Sequence, residues 1–350
     1  MIGTRRPRLA RMGTGTMRAA VIHELGPAEG IRMERLPVPE PKPGEVLVRV
    51  TATTVNHVDT FVRSGAYRTP VRFPFAVGRD LVGTVEATAS DVNGLMPGEA
   101  VWCNSLGHGG RQGAAAEFAV VPSNRLYRIP EGVDPIELVA LAHPAATAWL
   151  ALVEHGGLAA GGSAFVGGGG GNVGSCAVGF ALSMHARVVT TAGRRDLERL
   201  ARDGAVTLDY RDPDLADALA QAFRGTLPGD DSGTGGGADV WLDTSGALDL
   251  TQAIALLAER GRLVLIAGMG RHDELRFGDL YTHDRSIIGF AISNATVAEL
   301  HRAADAIGLA MGSAALTVPR IVKWPLDEAA RAHGAVERDE VRGERIVLIP

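Results

Sequence analysis

The sequence predicts an α/β protein of two units, one β-rich and one a doubly wound parallel sheet covered by helices. Three observations predict it. Short strands punctuated by glycine and proline fill residues 17–142. Strands and helices then alternate from residue 143 to about 289, the order that builds a parallel sheet. At the first strand-to-helix turn of that alternation stand five consecutive glycines, Gly167 to Gly171.

The elements follow in order. "AAVIHEL" (19–25) and "IRMERLPVPEP" (31–41) are strand patterns, and "EVLVRVTA" (45–52) alternates apolar and polar residues as a half-buried strand does. "DLVGTVEAT" (80–88), "EAVWCN" (99–104) and "EFAVVPSNRLYRIP" (117–130) continue as short strands. "PAATAWLALVEHG" (144–156) predicts a helix with Pro144 in its first turn. Strands are expected at 163–167, 186–193, 206–210, 238–246 and 261–268, with helices between them. The stretch 225–238 is a Gly/Asp-rich surface loop. A helix at 296–308, the segment 320–337 and a final strand at 344–350 close the chain.

Composition narrows the function classes. The 350 residues are 46% hydrophobic and 21% charged, with a formal net charge of −5, which offers nucleic acid or an anionic membrane no attraction. No apolar run of the roughly 18–20 residues that span a bilayer is read in the sequence, and a soluble cytoplasmic protein is expected. Two cysteines, Cys103 and Cys176, allow neither a disulfide framework nor a four-cysteine zinc site. Residues 1–16 carry Arg5, Arg6, Arg8 and Arg11 without the apolar stretch of a secretory signal, and are expected to be a disordered extension before Met17.

The glycine run reads as chemistry because it lies between an apolar strand and an apolar helix. Gly169, Gly171 and Gly174 satisfy G-x-G-x-x-G, and Gly168, Gly171 and Gly174 fit the related spacing with one more residue. Side-chain-free backbone lets a pyrophosphate approach, and the first helical N–H groups, at Asn172, Val173 and Gly174, supply donors. The tip of the next strand selects the dinucleotide. A carboxylate there would grip a ribose 2′-hydroxyl, but the residues are Thr190, Thr191, Ala192 and Gly193, then Arg194 and Arg195. Two guanidiniums suit a 2′-phosphate, so NADPH is the expected cofactor, with Tyr210 within reach of the same phosphate.

These features, with "MRAAVIHELG", "PKPGEVLVRV", "TVNHVDTFVRSGAY", "FPFAVGRDLVGTV", "PAATAW" and "GERIVLIP", resemble the medium-chain dehydrogenase/reductase superfamily, in its zinc-free quinone oxidoreductase (zeta-crystallin-like) branch. The likeness runs from Met17 onward. It implies a GroES-like catalytic domain split between 17–142 and 290–350, and a Rossmann cofactor domain at 143–289. It also implies a homodimer joined edge to edge through "RSIIGFAI" (285–292). Zinc-dependent relatives bind metal at the positions of Asn56, Arg79 and His143, and an arginine offers no lone pair, so no metal is expected. The resemblance places Asn56 and Tyr67 in the substrate cleft and Thr147 beside the nicotinamide, with Tyr67 the candidate donor of a proton or a hydrogen bond and solvent the alternative source of the enolate's proton. Asp59 is a structural acceptor or a cleft residue, and His57, His108 and Arg79 are further polar candidates. Phe61 and Ala115 stand where relatives carry aromatic or hydroxyl groups, which predicts a larger or less polar pocket. The implied activity is hydride transfer from NADPH to a quinone or another conjugated carbonyl compound. An enoyl or alkenal double-bond reductase is the alternative; a zinc alcohol dehydrogenase and a non-catalytic NADPH-binding protein stand behind it.

Overall fold

The computed structural model describes residues 15–224, 236–247, 249–316, 318 and 320–350. The expected N-terminal extension lies outside them up to residue 14, as does the surface loop from 225 to 235. Thr16, read as part of the extension, already pairs with Pro37 in a sheet.

The first unit comprises β1 (Thr16–Ile22), β2 (Arg32–Pro37), β3 (Glu45–Thr54), β4 (Phe75–Ala76), β5 (Leu81–Thr88), β6 (Ala100–Cys103), β7 (Phe118–Pro122) and β8 (Tyr127–Arg128), with α1 (His57–Ser64) after β3. Helix α2 (Pro135–Trp149) leads into the second unit. There β9 (Ser163–Gly167), β10 (Arg187–Ala192), β11 (Val206–Asp209), β12 (Ala238–Asp243), β13 (Leu257–Leu265) and β14 (Ser286–Gly289) alternate with α3 (Asn172–Ser183), α4 (Arg194–Arg202), α5 (Leu215–Arg224), α6 (Leu250–Ala255) and α7 (Gly278–Tyr281). The chain ends with α8 (Val297–Gly312), β15 (Arg320–Pro325), α9 (Ala329–Glu337) and β16 (Glu344–Ile349).

The six strands of the second unit are all parallel and run in the order β11-β10-β9-β12-β13-β14. That is the doubly wound order, in which the direction of winding reverses beside β9 and leaves a crevice at the strands' carboxyl ends. The glycine run sits at that end of β9. Strand β14 is the sheet's edge among the described residues. The last strand rejoins the first unit: Val347 and Leu348 of β16 pair with Thr54 and Thr53 of β3, and β15 lies beyond it.

Helix α2 corrects the sequence reading. It begins at Pro135, capped by the Asp134 carboxylate, which accepts from the Ile136 and Glu137 amides at 2.7 and 3.0 Å. Pro144 is therefore inside the helix, and His143 is a buried mid-helix residue rather than a helix-start histidine. The helix continues to His155 as a wider turn. By length and composition Pro135–His155 could cross a membrane, contrary to the sequence reading; 78% of its apolar window is buried inside the protein. Its residues Leu138, Leu141, Leu150 and Leu152 belong to the largest core cluster, shared by both units. A smaller difference lies at β13, which starts at Leu257 and shortens the helix expected over 250–259 to Leu250–Ala255.

Candidate active site

A proline inside a helix has no N–H, so the carbonyl four residues earlier loses its partner. In α2 that carbonyl belongs to Ala140, and the Arg345 Nε of β16 donates to it at 2.8 Å. The same guanidinium donates from Nη2 to Asn56 Oδ1 at 2.7 Å. Asn56, at the start of α1, in turn donates from Nδ2 to Asp80 Oδ2 at 2.8 Å and to Asp59 Oδ2 at 3.3 Å. Asp59 also accepts the Asn56 backbone N–H at 2.7 Å, the structural role foreseen for it. Asn56, Asp59, Arg79, Asp80, His143 and Arg345 are all buried, and together they form one polar cluster between the units.

Two carboxyls and two guanidiniums in so dry a place have displaced acidities. Burial pushes the Asp80 carboxyl up to about 8, and the neighbouring Asp59 adds to the rise; the Asn56 hydrogen bond, Arg345 and Arg79 oppose it. Burial lifts Asp59 to about 6 against the Asn56 N–H and Arg79. His143 is held well below its ordinary value by burial, then by Arg79 and Arg345, and its Nδ1 lies 3.8 Å from Asp80 Oδ1. Arg79 donates from Nη1 to Ser293 Oγ, just past β14, at 2.7 Å.

Tyr67 is half-buried behind α1, its ring tilted against His108 with centroids 5.8 Å apart. Its hydroxyl makes no hydrogen bond among the described residues. Thr147 follows His143 by one helical turn, and its Oγ1 donates to the His143 carbonyl at 2.9 Å. Phe61 is 40% exposed on α1, and Ala115 is enclosed in the core of the first unit. Ala115 packs in the same apolar cluster as Tyr67.

At the crevice, the Gly169 amide donates to the Thr191 carbonyl and the Gly171 amide to the Gly168 carbonyl, both at 2.9 Å. Gly168 has φ +80°, and a Cβ on Gly174 would collide with the Gly168 carbonyl oxygen. Gly171 caps α3 without a side-chain bond, and the amides of Asn172, Val173 and Gly174 find no acceptor among the described residues. Three unpaired N–H groups at the start of a long helix suit an anion. Along the sheet, Arg194 starts α4 and donates from Nε to Asp209 Oδ2 at 3.2 Å. Tyr210 lies beside Gly193, and Arg211 donates from Nη2 to its hydroxyl at 2.8 Å. Arg195 turns elsewhere, toward the Arg342 carbonyl at 3.3 Å.

Comparison with known proteins places this geometry. The alcohol dehydrogenase GroES-like domain family matches residues 42–131, and the zinc-binding dehydrogenase family matches 172–307. The human quinone oxidoreductase is 28% identical over 344 residues, 97% of this chain and 100% of its own length. A zinc-type alcohol dehydrogenase-like protein of Schizosaccharomyces pombe is 30% identical over 274 residues, 71% of this chain and 75% of its own. A mycobacterial protein solved in complex with NADPH superposes with a TM-score of 0.79 at 28% identity, covering 95% of this chain and 100% of its own.

The chain belongs to the medium-chain dehydrogenase/reductase superfamily, in its quinone oxidoreductase branch.

A member of this superfamily is an oxidoreductase with a nicotinamide cofactor. Among the residues expected from sequence, the glycine run with Asn172 and Val173 stands at the carboxyl end of β9, and Arg194 with Tyr210 stands at the same end of the sheet, after β10 and β11. Tyr67 and Thr147 flank the polar cluster. Sequence reasoning missed Asp80, Arg345 and Arg211. Arg211 had a legible signal, a third cation directly after Tyr210; Arg345 is 289 positions from the asparagine it orients.

Proposed function

We propose that this oxidoreductase reduces a conjugated carbonyl compound, a quinone or an enone, with NADPH and without zinc. The observation that carries the reading is the unpartnered Tyr67 hydroxyl beside a polar cluster whose members already bond one another. In such a cleft a free O–H is the donor left for a substrate oxygen.

The residues fit NADPH. The Asn172, Val173 and Gly174 amides would hold the pyrophosphate, and Arg194, Arg211 and Tyr210 the 2′-phosphate. Bound there, NADPH supplies a hydride to the electron-poor carbon. Tyr67 donates a hydrogen bond, then a proton, to the carbonyl oxygen where negative charge develops. Thr147 commits its own proton to the His143 carbonyl, so it meets the nicotinamide side of the cleft as an acceptor. Asn56 is a positioning residue, since both its N–H groups face carboxylates and its oxygen faces Arg345.

The same cluster does not fit zinc. Of the three positions, Asn56 is locked in hydrogen bonds, Arg79 is a cation bonded to Ser293, and His143 lies in the field of two guanidiniums. A divalent cation there would be repelled, so no step is routed through one. A dimer through the edge strand β14, the domain division near 142 and 290, and a cytoplasmic location belong to the same proposal.

Purified protein should oxidise NADPH when given simple quinones or enones. A broad panel without turnover, in protein that still binds NADPH, defeats the reading. Replacing Arg194 and Arg211 with Ala should weaken NADPH about tenfold or more and NADH little; equal losses would remove the 2′-phosphate assignment.

A further inference from the structure

The segment 105–112 folds over Arg79. The Leu106 amide donates to the Arg79 carbonyl at 3.1 Å, and Arg111 is tied to the Ser105 carbonyl by Nε and Nη2 at 3.1 and 3.0 Å. His108, on the same segment, carries the ring that meets Tyr67. Arg125 ends the short turn Ser123–Arg125, whose Asn124 carbonyl pairs with the His301 ring of α8 at 2.9 Å. The Arg79, Arg111 and Arg125 guanidiniums all act on the His108 ring, so three cations gather about the ring that meets the proposed proton donor.

Among the described residues they close no ion pair. Among the described residues no carboxylate lies within 4.0 Å of Arg79, Arg111 or Arg125. Arg79 Nε is enclosed without a partner, and the Arg125 guanidinium makes no hydrogen bond or ion pair among those residues. Asp59 and Asp80 stand behind Arg79 and act on it, and Asp305 acts with Arg125 on Tyr127, but none closes an ion pair with the three. The crowding is felt locally: burial first, then Arg79, Arg111 and Arg125, hold His108 down to about 4, so its ring is neutral near pH 7. Arg111 is likewise pushed down by burial and then by Arg125. Half-buried cations that repel one another and have free N–H groups gain most from an anion that bridges them.

We propose that Arg111 and Arg125, with Arg79 behind them, bind an anionic oxygen group of the substrate next to Tyr67, so that the protein acts on a conjugated carbonyl compound bearing a carboxylate or phosphate. The proposal rests on the reductase reading for its conjugated carbonyl and on the arginines alone for its anion. It lies apart from the cofactor's phosphates, which face the glycine cradle and the tip of β10.

The test compares 4-oxopent-2-enoate with its methyl ester, with NADPH and the full-length protein. The free acid is expected to exceed the ester at least tenfold in kcat/KM, and that ratio should fall about tenfold in Arg111→Gln and in Arg125→Gln. Arg125 holds no protein partner, so its variant does not depend on Arg111→Gln folding. Acid and ester used alike, or a ratio unchanged in both variants, overturns the proposal and leaves the reductase reading in place. If neither compound is reduced, titration of saturated 4-oxopentanoate into the NADPH-loaded protein still decides. Binding weakened tenfold in Arg125→Gln sustains the anion site, and absent or unchanged binding removes it. Competition by inorganic phosphate against acetate at matched ionic strength tells a phosphate-bearing substrate from a carboxylate-bearing one; competition by neither overturns the site.

Discussion

Tyr67 and Asn56 share one short stretch of sequence, yet their surroundings separate their roles. The Tyr67 hydroxyl is free, whereas Asn56 is bonded on every side by Asp59, Asp80 and Arg345. Tyr67→Phe keeps the ring against His108 and removes only the donor. It should lower kcat about 10- to 100-fold while NADPH affinity holds, as read by steady-state kinetics beside a cofactor titration. An unchanged kcat would assign protonation to water instead. The residues proposed for a 2′-phosphate show the same dependence on surroundings: Arg194 and Arg195 are adjacent in sequence, but one faces Asp209 and the other the Arg342 carbonyl.

Helix α2 shows how an element is made whole by a distant residue. Pro144 frees the Ala140 carbonyl, and Arg345 from the last strand fills it while orienting Asn56. Arg345→Met should cost about 3–5 kcal/mol in denaturant unfolding, because buried acceptors and carboxyls lose their donor and their countercharge. Adding Pro144→Ala supplies an N–H for Ala140 and should return about 1 kcal/mol of that loss. No recovery in the double variant would mean that the carbonyl is not where the cost arises. The glycine turn is a second case. Gly174→Ala sets a Cβ against the Gly168 carbonyl oxygen, so α3 must shift and NADPH affinity should fall, measurable by fluorescence titration.

For the molecule as a whole, the buried cluster ties stability to pH. A carboxyl raised in the folded state is protonated there and ionised when unfolded, so stability falls as pH rises between the two values. For Asp80 that window runs from about 4, the unfolded value, to about 8. His108, at about 4, His143, well below its ordinary value, and His333, at about 3, act oppositely; they gain protons on unfolding, and stability falls as pH drops below about 6.5. Between pH 6.5 and 8 Asp80 dominates. The unfolding free energy should decline across that interval by at most about 1.4 kcal/mol per pH unit, the melting temperature falling with it, and Asp80→Asn should flatten the decline. An equally steep decline in that variant would place the titrating group elsewhere.

The sequence by itself determined the two-unit plan, the glycine cradle and its cofactor class. Those features are local: a period of two or 3.6 in apolar residues, and glycines at fixed offsets after a strand, carry their physical consequence with them. Tyr67 was named through the resemblance of its neighbouring sequence to the family, and its role as donor remains the proposal made above. The sequence reading misplaced the start of α2, because a proline within a helix reads as a helix start unless the donor that compensates for it is known. Only the tertiary structure decided that Asn56 bonds Asp59, Asp80 and Arg345, that Ala115 is buried, that Arg195 reaches the Arg342 carbonyl, and that Arg79, Arg111 and Arg125 act on one histidine ring. Each of those outcomes depends on partners tens to hundreds of residues apart, brought together when β16 returns to β3 and the two units close on one cluster.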